Sequence, residues 1–398
     1  MVRPGGPRRG SRRARRMLAV LVLLGCAAAP AVGTAAPTSA GATPANLAVS
    51  GRPGDVIWSR PSTAPLTTAT AWQLRYRSTT ALGLPTVVSG IVLVPAAPFP
   101  GTRPLVAYAP GTQGWGDQCA PSKTIAAGAF NELFAVNNLL ARGWAVVVSD
   151  YPGLGTRGAH HYNVGIAEGL AVLDSLRAAT RLPGAGLGPS APVAIAGYSQ
   201  GGGAAGWAAQ LQPRYAPELR LVGVAGGGTP ANLRAVAEHI NGTFWFAFLA
   251  GTAIGFDAAY PFVDLDRYLT AEGEAAARRL GRLCLVDGLL ELAGRRIEDY
   301  TVGGVNPIDR PSWKLVLDLN NLGTVRPAVP LLQYHGLSDQ IIPWHLEAAL
   351  HRRYCAMGVA TQLNGYDADH IQTAFLAQAD VLRWLQDRFA GLPPPANC

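Results

Sequence analysis

A serine flanked by glycines, Gly197-Tyr198-Ser199-Gln200-Gly201-Gly202, follows the apolar run Pro192-Val193-Ala194-Ile195-Ala196 and precedes a stretch rich in Ala204, Ala205, Ala208 and Ala209. A hydroxyl is a poor nucleophile near neutral pH, so it reacts only where it is held exposed beside a base. A buried strand, a sharp turn and a helix would do this. The turn lifts Ser199 above the sheet edge in a strained conformation, while Gly197 and Gly201 let strand and helix approach without a Cβ clash. The Gln200 N–H, at the helix N-terminus, would face a developing oxyanion, and the helix dipole favours negative charge there.

Such a serine needs an imidazole as base and a carboxylate that fixes the imidazole's tautomer. On the strand–turn–helix architecture these follow the nucleophile in the order acid, then histidine. Of the 7 histidines, His370 alone falls in a loop after a late strand and before the last helix. His335 ends the strand that should deliver the acid, and His345 opens a helix. Asp339, in Tyr334-His335-Gly336-Leu337-Ser338-Asp339, follows a buried strand and is the expected acid. Asp367 and Asp369 adjoin His370 and fit helix capping better. A second oxyanion donor should come from Gly111-Thr112-Gln113-Gly114, with the backbone N–H of either Thr112 or Gln113 in that role.

The elements that must position these groups alternate along the chain. Apolar strands are expected at residues 72–76, 89–94, 103–108, 144–149, 192–196, 219–225, 329–334 and 361–366, with the first in an edge hairpin. Helices are expected at 131–142, 162–180, 344–357 and 371–389. This rhythm predicts an α/β layered fold, a mostly parallel sheet with helices on both faces, and ligands at the carboxyl ends of its strands. It breaks after residue 225, and the next strand begins about a hundred residues later, far beyond an ordinary connection. Helical patterns near 231–240, 271–292 and 313–319 make that segment, about 228–327, an inserted helical cap. Its aromatic run, Phe244-Trp245-Phe246-Ala247-Phe248-Leu249, either fills the cap's own core or lines an acyl pocket or a lipid-facing surface.

With 49% hydrophobic and 15% charged residues, the 398-residue chain can bury a large core. Its net charge of +8 is concentrated in the leader: Arg3, Arg8, Arg9, Arg12, Arg13, Arg15 and Arg16 are seven of 33 basic residues, leaving 26 against 25 acids. Nucleic acid therefore loses its electrostatic support. The basic start, the apolar run to Cys26 and the small residues to Ala36 read as a signal peptide over 1–36, with a linker or arm over 37–62 and one domain over 63–398. A twin-arginine reading of Arg15-Arg16 and lipid attachment at Cys26 are the variants. Export gives meaning to Cys119, Cys284, Cys355 and Cys398, which allow three disulfide connectivities. A terminal Cys398 is most simply a staple for the tail, with Cys355 its nearest partner in sequence. Pairing Cys355–Cys398 and Cys119–Cys284 would be worth roughly 4–5 kcal/mol each on chain entropy.

The combination of Tyr108 to Gln113, Cys119-Ala120-Pro121-Ser122, Asp150-Tyr151-Pro152-Gly153-Leu154-Gly155, the serine turn, the long insertion, Asp339 and His370 resembles the secretory lipase family typified by the yeast A-type lipases. The resemblance runs from about Trp58 to the C-terminus. It implies an α/β-hydrolase core with a helical cap forming an acyl tunnel, Ser199 as nucleophile, Asp339 as acid, His370 as base, and the N–H groups of Gln113 and Gln200 as oxyanion donors. It also supports the pairings Cys119–Cys284 and Cys355–Cys398. The yeast enzymes carry an acidic pair where Thr112-Gln113 stands, so pH behaviour tied to those carboxyls is not expected here.

The expected activity is an exported serine ester hydrolase of the lipase or carboxylesterase type acting on acyl esters, acylglycerols foremost, with transient contact at a lipid interface. It needs no cofactor. His160-His161 lacks further metal ligands, and Gly201-Gly202-Gly203 lacks the Lys-Ser/Thr of a phosphate loop. Asn241-Gly242-Thr243 is a glycosylation sequon by pattern only. The rival readings are acyl transfer to another alcohol, a peptidase on the same fold, and a catalytically silent surface or binding protein.

Overall fold

The structure, a computed structural model, describes residues 51–398. The expected signal peptide, with Arg15-Arg16 and Cys26, and the first part of the expected linker lie outside the described residues. Among the described residues no helix is long and apolar enough to cross a membrane.

Among the described residues nine strands form one sheet: β1 (Val56–Ser62), β2 (Ala69–Thr79), β3 (Pro85–Pro95), β4 (Leu105–Ala109), β5 (Ala145–Ser149), β6 (Val193–Tyr198), β7 (Leu221–Gly227), β8 (Leu331–Gly336) and β9 (Thr361–Tyr366). Their spatial order is β1-β2-β3-β5-β4-β6-β7-β8-β9. The first three strands pair antiparallel, β3 meets β5 antiparallel, and every pairing from β5 to β9 is parallel. Every residue of β4, β5 and β6 is buried, as strands covered on both faces must be.

The described residues also form twelve α-helices: α1 (Pro121–Ala126), α2 (Leu133–Leu140), α3 (Gly165–Arg181), α4 (Gln200–Tyr215), α5 (Leu233–Ile240), α6 (Phe246–Ala259), α7 (Ala271–Leu280), α8 (Leu285–Leu292), α9 (Pro311–Leu319), α10 (Trp344–Ala356), α11 (His370–Leu376) and α12 (Gln378–Phe389). The two-residue period of a strand sorts neighbouring side chains onto opposite faces. Ala145, Val147, Val193 and Ile195 pack with α3, α4 and α10. Val146, Val148, Ala194 and Ala196 pack with α1, α2 and α12. A third apolar cluster joins α5 to α9 with Trp115, Tyr162 and Val164 beneath them. These five helices fill the interval between β7 and β8.

Four elements differ from the sequence expectation, each for a local reason. Residues 56–62, expected within the linker, form edge strand β1; its middle is exposed, so it carries no apolar alternation and is ordered by its ladder to β2. The aromatic run enters α6, which is apolar nearly all round and therefore shows no 3.6-residue period. The helix expected over 271–292 is broken between α7 and α8. There Cys284 is bonded to Cys119 and bridged to Gly114, and Leu283 accepts the N–H groups of Trp115 and Gly116. The closing helix is two helices, α11 and α12, meeting at Ala377. The second disulfide joins Cys355, in the last turn of α10, to the terminal Cys398.

Candidate active site

Ser199 stands between β6 and α4 at φ 60°, ψ −124°, a conformation that costs a non-glycine residue strain. Its surroundings explain the glycines. A Cβ on Gly201 would lie 2.0 Å from the Ala109 carbonyl oxygen, one on Gly197 2.3 Å from that of Gly201, and one on Gly202 2.2 Å from that of Gly227. All three obstacles are backbone, which cannot swing aside. The Ser199 N–H donates to the Gly227 oxygen at 2.9 Å, tying the turn to β7.

His370 opens α11, and its Nε2 is 3.0 Å from Ser199 Oγ. Its Nδ1 is 2.6 Å from Asp339 Oδ2. The residue is held from three sides: its backbone N–H donates to Gln340 Oε1 at 3.0 Å, the Tyr198 hydroxyl donates to its backbone carbonyl at 2.7 Å, and the Tyr198 and His370 rings lie 4.9 Å apart. Asp339 Oδ1 accepts the N–H groups of Ile341 at 2.9 Å and Ile342 at 2.7 Å. Burial would raise the Asp339 carboxyl, but hydrogen bonds from His335 and His370 outweigh it and hold the group well below the usual carboxylate range. Asp369 caps α11 through the Gln372 N–H at 2.8 Å.

The backbone N–H groups of Thr112 and Gln113 meet no acceptor among the described residues. Thr112 lines the cavity beside Ser199 and bonds its hydroxyl to that of Tyr162 at 2.6 Å. Gln113 turns its side chain back to the Gly111 carbonyl at 3.2 Å and accepts the Leu285 N–H at 3.0 Å. The Gln200 side chain points inward to Glu168 Oε1 at 2.7 Å, which leaves its N–H at the free first turn of α4.

Two acids brace these two donor segments. Half-buried Glu132 accepts the Gly111 N–H at 3.0 Å and the Tyr108 hydroxyl at 2.7 Å. Loss of hydration raises its pKa to about 7 against the lowering effect of those donors. Buried Glu168, which takes the Gln200 amide and the Asn163 N–H, is raised by burial to about 8. A third acid, fully buried Asp150, gathers the Ser122 N–H at 2.7 Å and the hydroxyls of Ser122 and Ser89 at 2.5 and 2.6 Å. That bond set locks the Cys-Ala-Pro-Ser segment onto the middle of β3 and the end of β5.

Ser199 separates two cavities. One runs under the cap among Leu233, Val236, Leu249, Ala253, Trp313 and Ile342. The other, about 200 Å³, opens between α8 and α11 and is lined by Tyr108, Glu132, Trp245, Leu289, His370 and Phe375. The aromatic run divides its labour: Phe246 is fully buried in the cap core, whereas Trp245 and Phe248 face the cavities.

Other singled-out residues have structural places. Burial lowers His160 to about 3 and His161 to about 4, and His160 contacts the Gln200 amide and the Pro152 carbonyl. Asn241 of the sequon is half-buried and bonded to Glu298 and to the Ile297 N–H. Among the described residues the one group with metal-ligand spacing is His351, Cys355 and Cys398, whose two cysteines are joined to each other. Sequence reasoning missed Glu132, Glu168 and Glu347. Glu168 left a signal, as the lone charge in Gly165-Ile166-Ala167-Glu168-Gly169-Leu170-Ala171; the other two left none.

The secretory lipase family matches residues 118–397. A Mycobacterium tuberculosis protein named a probable inactive lipase is 32% identical over 81% of this chain and 74% of its own. A secreted triacylglycerol lipase of Malassezia globosa is 31% identical over 86% and 77%. The solved structure of Candida antarctica lipase A in its closed state superposes with a TM-score of 0.78 at 25% identity, covering 87% of this chain and 86% of that one.

Proposed function

Because the chain belongs to the secretory lipase family and is a carboxylic ester hydrolase with the α/β-hydrolase fold, we propose that it works as a secreted serine lipase or esterase whose nucleophile is Ser199. The observation that carries this reading is the unbroken hydrogen-bonded series Asp339–His370–Ser199 at the junction of two apolar-walled cavities. Ser199 Oγ attacks the ester carbonyl carbon while His370 Nε2 takes its proton. The oxyanion is met by the Gln200 N–H and by that of Gln113 or Thr112. His370 returns the proton to the leaving alcohol, and water, activated by the same ring, releases the acid.

The substrates are acyl esters, acylglycerols foremost, with the acyl chain in the cap cavity. Secretion is supported by the leader sequence and by the secreted Malassezia relative. One observation favours a silent protein instead: the mycobacterial relative is named inactive. Hydrolysis of p-nitrophenyl esters from acetate to palmitate, and of emulsified triacylglycerol, decides between them. Activity that disappears in Ser199→Ala supports the hydrolase; a folded protein that cleaves none of them overturns it.

A further inference from the structure

Asp339 Oδ2 lies between two imidazoles, with His370 Nδ1 at 2.6 Å and His335 Nε2 at 3.1 Å. The second ring, near the end of β8, is fully buried, and both of its nitrogens face oxygen. Nε2 also lies 2.7 Å from the Ile342 carbonyl, and Nδ1 lies 3.2 Å from Glu347 Oε2. Carbonyl and carboxylate oxygens only accept, so Nε2 carries a hydrogen. Both Glu347 oxygens are already acceptors, Oε1 for the Gln333 amide at 2.6 Å and Oε2 for the Thr229 N–H at 3.0 Å. A hydrogen on His335 Nδ1 completes that set.

On the reading that Asp339 serves His370, we propose that His335 is a positioning residue: an imidazolium clamped between Asp339 and Glu347 that aims the Asp339 carboxylate at His370 and extends ester cleavage to lower pH. A second cation on the same carboxylate opposes the charging of His370, and only neutral His370 can act as base. Burial alone would lower the His335 pKa, but its bonds to Asp339 and Glu347 carry it to about 10. The titratable groups around the pair are Asp339 itself, Glu347 and His351 on α10, His370 on α11, Tyr198 on β6 and Tyr334 on β8; His351 reaches it only through Gln333. Thr229, beyond β7, adds an N–H, and Trp344 adds an aromatic edge 6.0 Å away.

The test combines two readouts on the full-length protein. NMR of histidine-labelled protein follows the ring nitrogens from about pH 5 to about pH 9, the window in which an ordinary histidine titrates. The same range is covered by kcat/KM for p-nitrophenyl butyrate in the wild type, His335→Asn and Ser199→Ala. His335 is expected to stay doubly protonated throughout, and His335→Asn to move the acid limb upward by about one pH unit. A merely structural His335 would lower activity at every pH without moving the limb, and that result overturns the proposal. So does a singly protonated His335 ring at neutral pH, a measurement that holds even if the variant does not fold. Because ring charge is read without turnover, an inert wild type with a doubly protonated His335 sinks the hydrolase reading instead.

Discussion

On the sheet side of Ser199, β8 and the loop after it bring His335 and Asp339, α10 brings Glu347 and the start of α11 brings His370, and each buried polar atom among them has a partner at 2.6–3.2 Å. On the cap side, α5, α6 and α9 present Leu233, Val236, Leu249, Ala253, Trp313 and Leu317 around an apolar cavity. A buried charge must be bonded or it unfolds its site, so the sheet side tolerates almost no change of residue type. The cap side needs only volume and apolarity, which many side chains supply. On the proposed function, chemistry and selectivity sit on walls with different tolerance. Substitutions on the first wall should affect every ester alike, and those on the second should depend on acyl-chain length.

The largest effect should come from the sheet side. Ser199→Ala should lower kcat for any p-nitrophenyl ester by at least about 10⁴-fold, and Asp339→Asn by about 10⁴-fold through loss of the productive tautomer. Steady-state kinetics on the acetate and the palmitate checks that both fall together. Gly201→Ala drives a methyl to 2.0 Å from the Ala109 oxygen, so chemical denaturation should show a loss of about 3 kcal/mol or more. Glu168→Gln tests the buried acid through its pH dependence. Its folded pKa, about 8, lies above the ordinary carboxylate value, so its contribution is intact below about pH 4 and declines as pH rises toward 8. Denaturation of the wild type relative to the variant should therefore lose about 4 kcal/mol between about pH 5 and about pH 9. The smallest effect belongs to the cap. Ala253→Phe fills space in the cap cavity and should cut palmitate cleavage about tenfold while sparing acetate. Equal loss on both esters would erase the distinction between the walls.

The same contrast governs what was legible in the sequence. Ser199 was visible because its turn demands glycine at fixed offsets, and the backbone oxygens 2.0–2.3 Å from the missing Cβ positions are the physical origin of that pattern. The parallel core was visible because β4, β5 and β6 are buried on both faces and must be apolar throughout. Asp339 and His370 are legible as candidates by their address after late strands, and the fold sets them in one hydrogen-bonded series with Ser199. Glu132 and Glu347 are not, since they meet Gly111 and His335 across 21 and 12 residues, separations that follow no helix or strand period. The sequence does not choose between Thr112 and Gln113, because that choice depends on the direction of one peptide plane. Strand β1 escaped because an exposed edge has no apolar period to read.

The most direct test of the account is covalent capture of the nucleophile. The protein, treated with a fluorophosphonate at neutral pH, is weighed intact by mass spectrometry and mapped by peptide digestion, beside Ser199→Ala. One adduct per chain, on the peptide holding Ser199 and missing from the variant, is the predicted result. No adduct on the folded protein, or one that persists at another residue in the variant, would contradict the assignment of Ser199 and the mechanism built on it.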